Sequence, residues 1–511
     1  MANEEGEHHE EGEDEAGKGK IVRLAGWISS RTGLTYPLLR PVPEYSLNPF
    51  YWLGALSVVA FIIQGITGVI MMLYYIPSPT SAYATTKYIF QSVYFGQFLE
   101  TIHLYTAYAM IMLAFMHMMR GYFVSVHKRP REVMWVVGML MGFVTLGFGF
   151  TGYLLPWTVV SKAGTDVGIG MMAVLPPPLA SLATFLIVGA GGDATELLRF
   201  YDLHVVVLPA VLLGLLVAKM YMLETHGVAE PVTGKLTERI KRTLPIFPDV
   251  TVYLLEFAAI FGVGMLLVSV LFPIQLAPEY TPTAAGAIAA QPDWYFLWIY
   301  QILKISAYEK AGIPVALTFV AAVLGALVVL PFIDRGDNRR ILERPKFVIV
   351  GAIFIAELIV LAVWGLLTPG EGISNLEAVE VLGGTALIVS LALAGAYATA
   401  RPTPRSETTI SSPSAPARGP PLRVREEKWT GATMTALVAF GALGIGISID
   451  SVVQIAMFGT TTAMVSRLGA SLCLLAAVVV VTLVVLRRSG IRLGGRGGRP
   501  PRRVWGKLGP G

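Results

Sequence analysis

Long apolar stretches alternate with short polar ones along most of the chain. Ten of them, near 50–75, 101–119, 134–156, 203–223, 251–273, 312–332, 347–367, 380–399, 430–449 and 466–486, are long enough to cross a bilayer. A helix needs about 20 residues at ~1.5 Å each to span the ~30 Å hydrocarbon core. The pattern predicts an all-α, polytopic membrane bundle of about ten transmembrane helices. None of the stretches resembles a cleavable signal peptide, since the first begins only near residue 50.

The polar stretches divide the chain into units. Residues 1–20 are acidic and predict a disordered tail. Residues 21–33 ("IVRLAGWISSRTG") predict an amphipathic helix on the inner membrane surface. Two four-span units follow, 21–230 and 231–400. Residues 401–429, rich in Pro, Ser and Arg, read as a cytoplasmic linker. A two-helix membrane extension at 430–488, with no histidine, and a basic tail at 489–511 complete the order.

Composition agrees: the 511 residues are 54% hydrophobic and 14% charged, with a mean hydropathy of +0.63. The net charge of +5 matters less than its placement. Loops 120–133, 224–249 and 333–346, the linker and the tail hold most of the Lys and Arg, whereas the alternate loops hold few. By the positive-inside rule all ten spans agree on cytoplasmic termini in a cell (inner or plasma) membrane. The tail "RLGGRGGRPPRRVWGK" is then read as a contact with anionic membrane lipid rather than with nucleic acid. The single cysteine, Cys473, leaves no CxxCH for covalent haem, no iron–sulfur ligand set and no intrachain disulfide.

Candidate chemistry lies inside the second span. "ETIHLYTAYAMIMLAFMHMMRGYF" has no charge between Glu100 and Arg120, yet it holds His103 and His117. Imidazole in hydrocarbon needs a partner. Fourteen residues are close to four helical turns, so the rings leave nearly the same face ~21 Å apart. One metal cannot bridge that distance, but two stacked cofactors can each take one histidine. The fourth span opens with "RFYDLH", placing His204 at the depth of His103, and Lys219 follows ~22 Å further down. Bis-axial ligation of two stacked haems fits this spacing. Gly54 and Gly68, and Gly138 and Gly152, repeat the 14-residue interval in the first and third spans. A flat macrocycle between helices needs the close backbone approach that glycine allows. Small-residue helix contacts would also use glycines, but the coincidence with the histidine interval favours the macrocycle.

Over roughly residues 25–370 the sequence resembles the cytochrome b of quinol-oxidising bc and bf complexes. The likeness lies in "HMMRG" (117–121), "KRPRE" (128–132), "GYLLPW" (152–157), "RFYDLH" (199–204) and, above all, "PDWYFLWIYQILK" (292–304). The last is similar to the family's PEWY quinol motif, with Asp293 for Glu. "FPDVTVYLLEF" and "LPFIDR" look like the half that bf-type complexes carry as a separate subunit. The resemblance implies a four-helix core with two non-covalent b-type haems. His103 and His204 would hold the outer haem iron and His117 the inner one, Arg120 would pair with an inner propionate, and Gly54, Gly68, Gly138 and Gly152 match the haem-packing positions. It also implies quinol oxidation with bifurcated electron flow. One electron would go to a Rieske iron–sulfur protein and on to cytochrome c or an equivalent acceptor, and the other across the membrane to a quinone, in a homodimeric complex that contributes to proton translocation.

Lys219 departs from the pattern, for the family has a histidine there. Three states stay open: coordination of the inner iron by a neutral amine, a five-coordinate iron, or a lysine that snorkels or pairs with a propionate. His226 lies ~33 Å along the helix from His204, too far to replace it unless the helix breaks. It is read instead as a protonatable group of the inner quinone site. Glu100 and Leu104 stand where some relatives carry arginines near the outer propionates.

In the outer pocket Asp293 is the expected proton acceptor, as a carboxyl in a partly apolar pocket can titrate near neutrality. Tyr295 and Tyr153 are expected to line it or hydrogen-bond within it. Pro292 would fix the loop, Trp294 pack it, and Gly164 leave room at the wall, within a short surface helix after Trp157. The competing architecture, a dihaem membrane anchor of a quinone-linked dehydrogenase or reductase, would need neither "PDWY" nor "GYLLPW".

Overall fold

The computed structural model describes residues 41–399, apart from 174, 176, 190, 230–242, 247–249, 286–290, 306–312 and 337. The acidic tail, the amphipathic segment 21–33, the linker, the last two expected spans and the basic tail lie outside the described residues. The rest is helical: α1 (Leu53–Met72), α2 (Ala82–Ser92), α3 (Gly96–Phe123), α4 (Glu132–Leu154) and α5 (Val159–Ala173) come first. After α6 (Pro177–Ala183) come α7 (Asp193–His226), α8 (Thr251–Leu271), α9 (Leu297–Leu303), α10 (Ile313–Val328), α11 (Pro345–Leu367) and α12 (Asn375–Ala398). Among the described residues seven helices (α1, α3, α4, α7, α8, α11 and α12) are long and apolar enough to cross a membrane. The sole sheet among them is a two-stranded antiparallel pair, β1 (Pro41–Pro43) with β2 (Thr243–Pro245), tying the approach to α1 to the approach to α8.

Helix ends differ from the apolar limits where polar chemistry extends them. α7 begins ten residues before the apolar run, with Asp193 and Glu196 in its first turn, where carboxylates favour the helix dipole. Glu196 also receives Lys162 of α5 at 3.5 Å, so the extension is packed rather than frayed. The expected span 312–332 is instead the 16-residue α10, followed by a short turn at Leu330–Ile333. Pro331 has no N–H to continue the ladder. α12 starts at Asn375 behind a capping box in which Ser374 and Glu377 bond each other's backbone.

The least apolar span sits at the centre. The most apolar stretch of α3 is half buried, against 6–33% for the other candidate spans, and its mean hydropathy is the lowest at 1.4. Surrounded by protein rather than lipid, it accommodates His, Thr and Tyr. Tyr105, Tyr108 and Leu113 of α3 pack with Leu56 of α1, Phe257 and Met265 of α8, and Trp294 and Leu297. Tyr105 donates to the Phe272 carbonyl at 2.7 Å. α3 thereby joins the helices before residue 230 to those after residue 250.

A buried polar knot makes a second junction, at the face that carries the basic loops. Asp334 accepts from His127 Nε2 at 3.0 Å, from Lys128 Nζ at 3.0 Å and from the Arg344 guanidinium. All four side chains are nearly fully buried. Arg344 also reaches Ser125 Oγ, and Tyr122 donates to the Phe347 carbonyl at 2.7 Å. Burial acts to raise the Asp334 carboxyl, but the bonds from Lys128 and His127 and the charge of Arg344 outweigh it and hold the carboxyl below its usual range.

Burial also pulls the His127 imidazole down to about 4. The folded chain keeps this ring neutral, while the unfolded chain protonates it below pH ~6.5. The unfolded state therefore binds the extra proton between about 4 and ~6.5, and stability falls as pH drops through that window. A midpoint of thermal unfolding some degrees lower at pH 5 than at pH 7 is expected, with a flatter dependence in His127→Gln. An unchanged dependence in that variant would assign the effect to other groups.

Candidate functional site

α3 and α7 face each other across the first unit, flanked by α1 and α4. The His103 and His204 rings lie 6.3 Å apart, centroid to centroid, at 61°. That separation suits one metal ion between two imidazole nitrogens, with bonds of about 2.0–2.1 Å. Each of the four glycines faces the ligand candidate of its neighbouring helix. A Cβ on Gly68 would stand 3.4 Å from His103 Cε1, and one on Gly152 only 2.5 Å from His204 Cε1. At the other end, Gly54 would meet the His117 ring at 3.1 Å and Gly138 the Lys219 Nζ at 3.1 Å. The room that glycine leaves faces the ligand side chain itself: a Cβ at Gly152 would force the His204 ring to move, and one at Gly54 or Gly138 would displace its neighbour by a few tenths of an ångström. Among the described residues no three His, Cys, Asp or Glu gather as a metal cage. An ion between His103 and His204 must bring further ligands with it, as the iron of a haem does.

The structure also accounts for the extra residue between His204 and Lys219. His204 lies in a π-turn, Leu203–Val207, within α7. A π-turn takes in one residue more than an α-turn. Fifteen residues along α7 thus cover the phase that fourteen cover along α3, and Lys219 reaches the depth of His117 on the facing side.

The two ends differ in hydrogen bonding. His103 Nδ1 lies 2.8 Å from Thr67 Oγ1, and His204 Nδ1 lies 3.1 Å from Thr151 Oγ1. His117 Nδ1 is buried with no protein partner. Near His117 the Arg120 guanidinium covers the Tyr51 ring at 3.8 Å, and Tyr51 donates to the Ala229 carbonyl at 3.0 Å. His226 is the exposed last residue of α7; its carbonyl accepts from Arg131 at 3.1 Å.

At the other end of α4, residues 292–296 turn into the bundle. Asp293 is 8% exposed, and its Oδ1 accepts from Tyr108 Oη at 3.1 Å and from the Trp294 N–H at 2.9 Å. Tyr295 also hydrogen-bonds Asp293; burial, then the Asp293 charge, pushes its phenol well above the ordinary range, so it stays protonated. The Tyr295 ring crosses Gly149, where a Cβ would come within 2.8 Å. Gly149 and Gly152 are one turn apart on α4, so Tyr295 and His204 approach the same stretch of helix. Gly164 of α5 brings a Cβ position to 3.0 Å from Tyr153 and 3.7 Å from Pro292 Cα. Gln291 Nε2 anchors the turn on the Gly365 carbonyl at 2.9 Å, and Trp294 packs against Tyr108 at 6.0 Å. Tyr108, Gly149, Thr67 and Thr151 escape the motif reading. The Thr-Gly repeat at 67–68 and 151–152 was the available signal for the threonines, and the run "GFGFTG" for Gly149.

The profile "Cytochrome b(N-terminal)/b6/petB" matches residues 108–282, and "Cytochrome b(C-terminal)/b6/petD" matches 282–382. A "Cytochrome bc complex cytochrome b subunit" of Chlorobaculum thiosulfatiphilum is 32% identical over 351 residues, 66% of this chain and 79% of the relative. A "Menaquinol:cytochrome c reductase cytochrome b subunit" of Geobacillus thermodenitrificans is 34% identical over 227 residues, 41% of this chain and 99% of the relative. A solved structure described as "Hyperthermophilic respiratory Complex III" shares the fold with a TM-score of 0.59 at 24% identity, covering 73% of this chain and 96% of the other. Both halves of the family are matched on one polypeptide, and a relative is matched over most of its length: the chain belongs to the cytochrome b family of electron-transport membrane proteins.

Proposed function

We propose that the chain is the cytochrome b subunit of a quinol-oxidising, bc-type respiratory complex. The observation that carries this reading is the facing pair His103 and His204, with the Asp293–Tyr295 turn one helical turn away along α4. In this reading the His103 and His204 end is the outer side and the termini are cytoplasmic. When bound, two b-type haems supply one-electron carriage across the membrane. His103 and His204 would hold the outer iron, His117 and Lys219 the inner one, and Arg120 would pair with a propionate.

The remaining work belongs to side chains of the turn. Tyr108, the Trp294 N–H and Tyr295 orient the Asp293 carboxylate, which takes a proton from a quinol hydroxyl. Tyr295, still protonated, donates a hydrogen bond and closes the wall across Gly149. Tyr153, Pro292, Trp294 and Gly164 shape the pocket. The two electrons would go to different acceptors, one to a Rieske protein and on to cytochrome c or an equivalent carrier, the other inward toward a quinone near His226. The chain works in a homodimer within the lipid of the cell membrane.

Asp293→Asn keeps the shape of the turn but cannot take up the proton. Haem reduction by added quinol in the isolated complex is expected to slow by about 10²–10⁴-fold, with both oxidised haem spectra unchanged. Reduction at the native rate would remove Asp293 from the proton path.

A further inference from the structure

We propose that Thr67 and Thr151 are positioning residues that make His103 and His204 stronger electron donors to their iron than unassisted imidazoles would be, and so lower the potential of the haem at that end. Thr67 Oγ1 donates to the Ile63 carbonyl at 2.7 Å, and Thr151 Oγ1 to the Gly147 carbonyl at 2.8 Å. With its one proton committed to its own helix, each hydroxyl can only accept from the histidine beside it. The bond therefore runs from His Nδ1–H to the threonine oxygen. It selects the tautomer whose Nε2 lone pair is free for iron, holds the ring plane and makes the imidazole more basic. Both threonines are 5% exposed, so water does not compete with them. A more electron-rich ligand favours the oxidised iron and lowers the potential.

The second pair lacks this device. The residues ahead of its glycines are Leu53 and Val137, where the first pair has Thr67 and Thr151 ahead of Gly68 and Gly152. His117 Nδ1 accordingly has no protein partner. The asymmetry is written at four equivalent positions, two polar at one depth and two apolar at the other.

The inference rests on the reading that His103 and His204 hold a haem, and redox titration of the purified complex separates the two ideas. Thr67→Val is expected to make one haem easier to reduce by about tenfold in its equilibrium constant, 59 mV for a one-electron couple, while the other haem stays in place. Thr67→Ser, which keeps the hydroxyl, is expected to titrate as the native protein. Thr151→Val is expected to act in the same direction but less, because the backbone of Phe148 also hydrogen-bonds His204. Thr145 provides a control: it is equally buried in α4 and donates to the Met141 carbonyl at 3.0 Å, with no histidine beside it. Thr145→Val should move neither haem. Equal movement of both haems, the same shift in Thr145→Val, or a Thr67→Ser protein that behaves like Thr67→Val would each overturn the proposal. Should Thr67→Val fail to assemble, an unmoved potential in Thr151→Val overturns it. Retention of both haems, unshifted, in His103→Leu would instead overturn the underlying ligand assignment.

Discussion

Lys219→Leu is expected to turn one of two low-spin haems into a five-coordinate, high-spin centre, with the other haem unaffected. Lys219→His is expected to restore a low-spin centre, now of bis-imidazole type. The expectation rests on the proposed ligand role and on three features. The Lys219 Nζ lies 3.1 Å from a Cβ position on Gly138, matching the way the other three candidates face their glycines. The π-turn at Leu203–Val207 puts it in phase with His204. On the facing helix, His117 has a similar glycine, Gly54, behind its ring. A lysine in this position binds iron only as the neutral amine. Low-temperature EPR with near-infrared magnetic circular dichroism of the oxidised complex reads the ligands directly. A charge-transfer band of amine–imidazole energy in the native protein, absent from both variants, supports the assignment. A high-spin signal already present in the native protein would mean an open inner iron. Two bis-imidazole haems would rule Lys219 out and bring in His226, which is exposed and ~10 Å further along the helix.

The second large effect concerns assembly of the chain. Asp334→Ala is expected to cost about 3–5 kcal/mol, because it leaves Lys128 and Arg344 buried without their counter-charge. The loss should fall on the contact between the α3–α4 loop and the start of α11, since His127 and Lys128 precede α4 and Arg344 stands at the N-cap of α11. In detergent or lipid discs, thermal melting followed by haem absorbance should show a lower midpoint. Asp334→Asn, which keeps one acceptor oxygen but not the charge, should fall between the two. An Asp334→Ala protein that melts with the native one would mean that the knot is dispensable.

Much of this architecture is legible in the chain because lipid imposes simple demands. A span must be apolar for about 20 residues, so every crossing helix among the described residues starts from a visible run. The ligand candidates are visible because a polar group inside such a run is costly unless it serves a function or meets a partner, and their shared interval survives as arithmetic. Less legible are features set by protein rather than lipid. α7 outruns its apolar limit because Lys162 and the helix dipole stabilise its charged first turn. Asp334 takes its partners from positions 127, 128 and 344, and no local pattern announces a contact across some 200 residues. Tyr108 reads as one more aromatic in a core helix until the 292–296 turn brings Asp293 to it. The threonines lie between these cases: their repeat is in the sequence, but only the hydroxyl-to-imidazole distance gives it meaning.

The π-turn has a consequence for insertions and deletions. Removing one residue within Leu203–Val207 would let α7 close as a plain α-helix while Lys219 stays aligned with its facing histidine. The same deletion one or two turns later would swing Lys219 about 100° around the axis, out of the bundle and toward lipid. The helix thus has one place where its length can change at little cost to ligand geometry, beside His204. In this span, then, the face a side chain presents is set by the π-turn as well as by the number of residues that separate two positions.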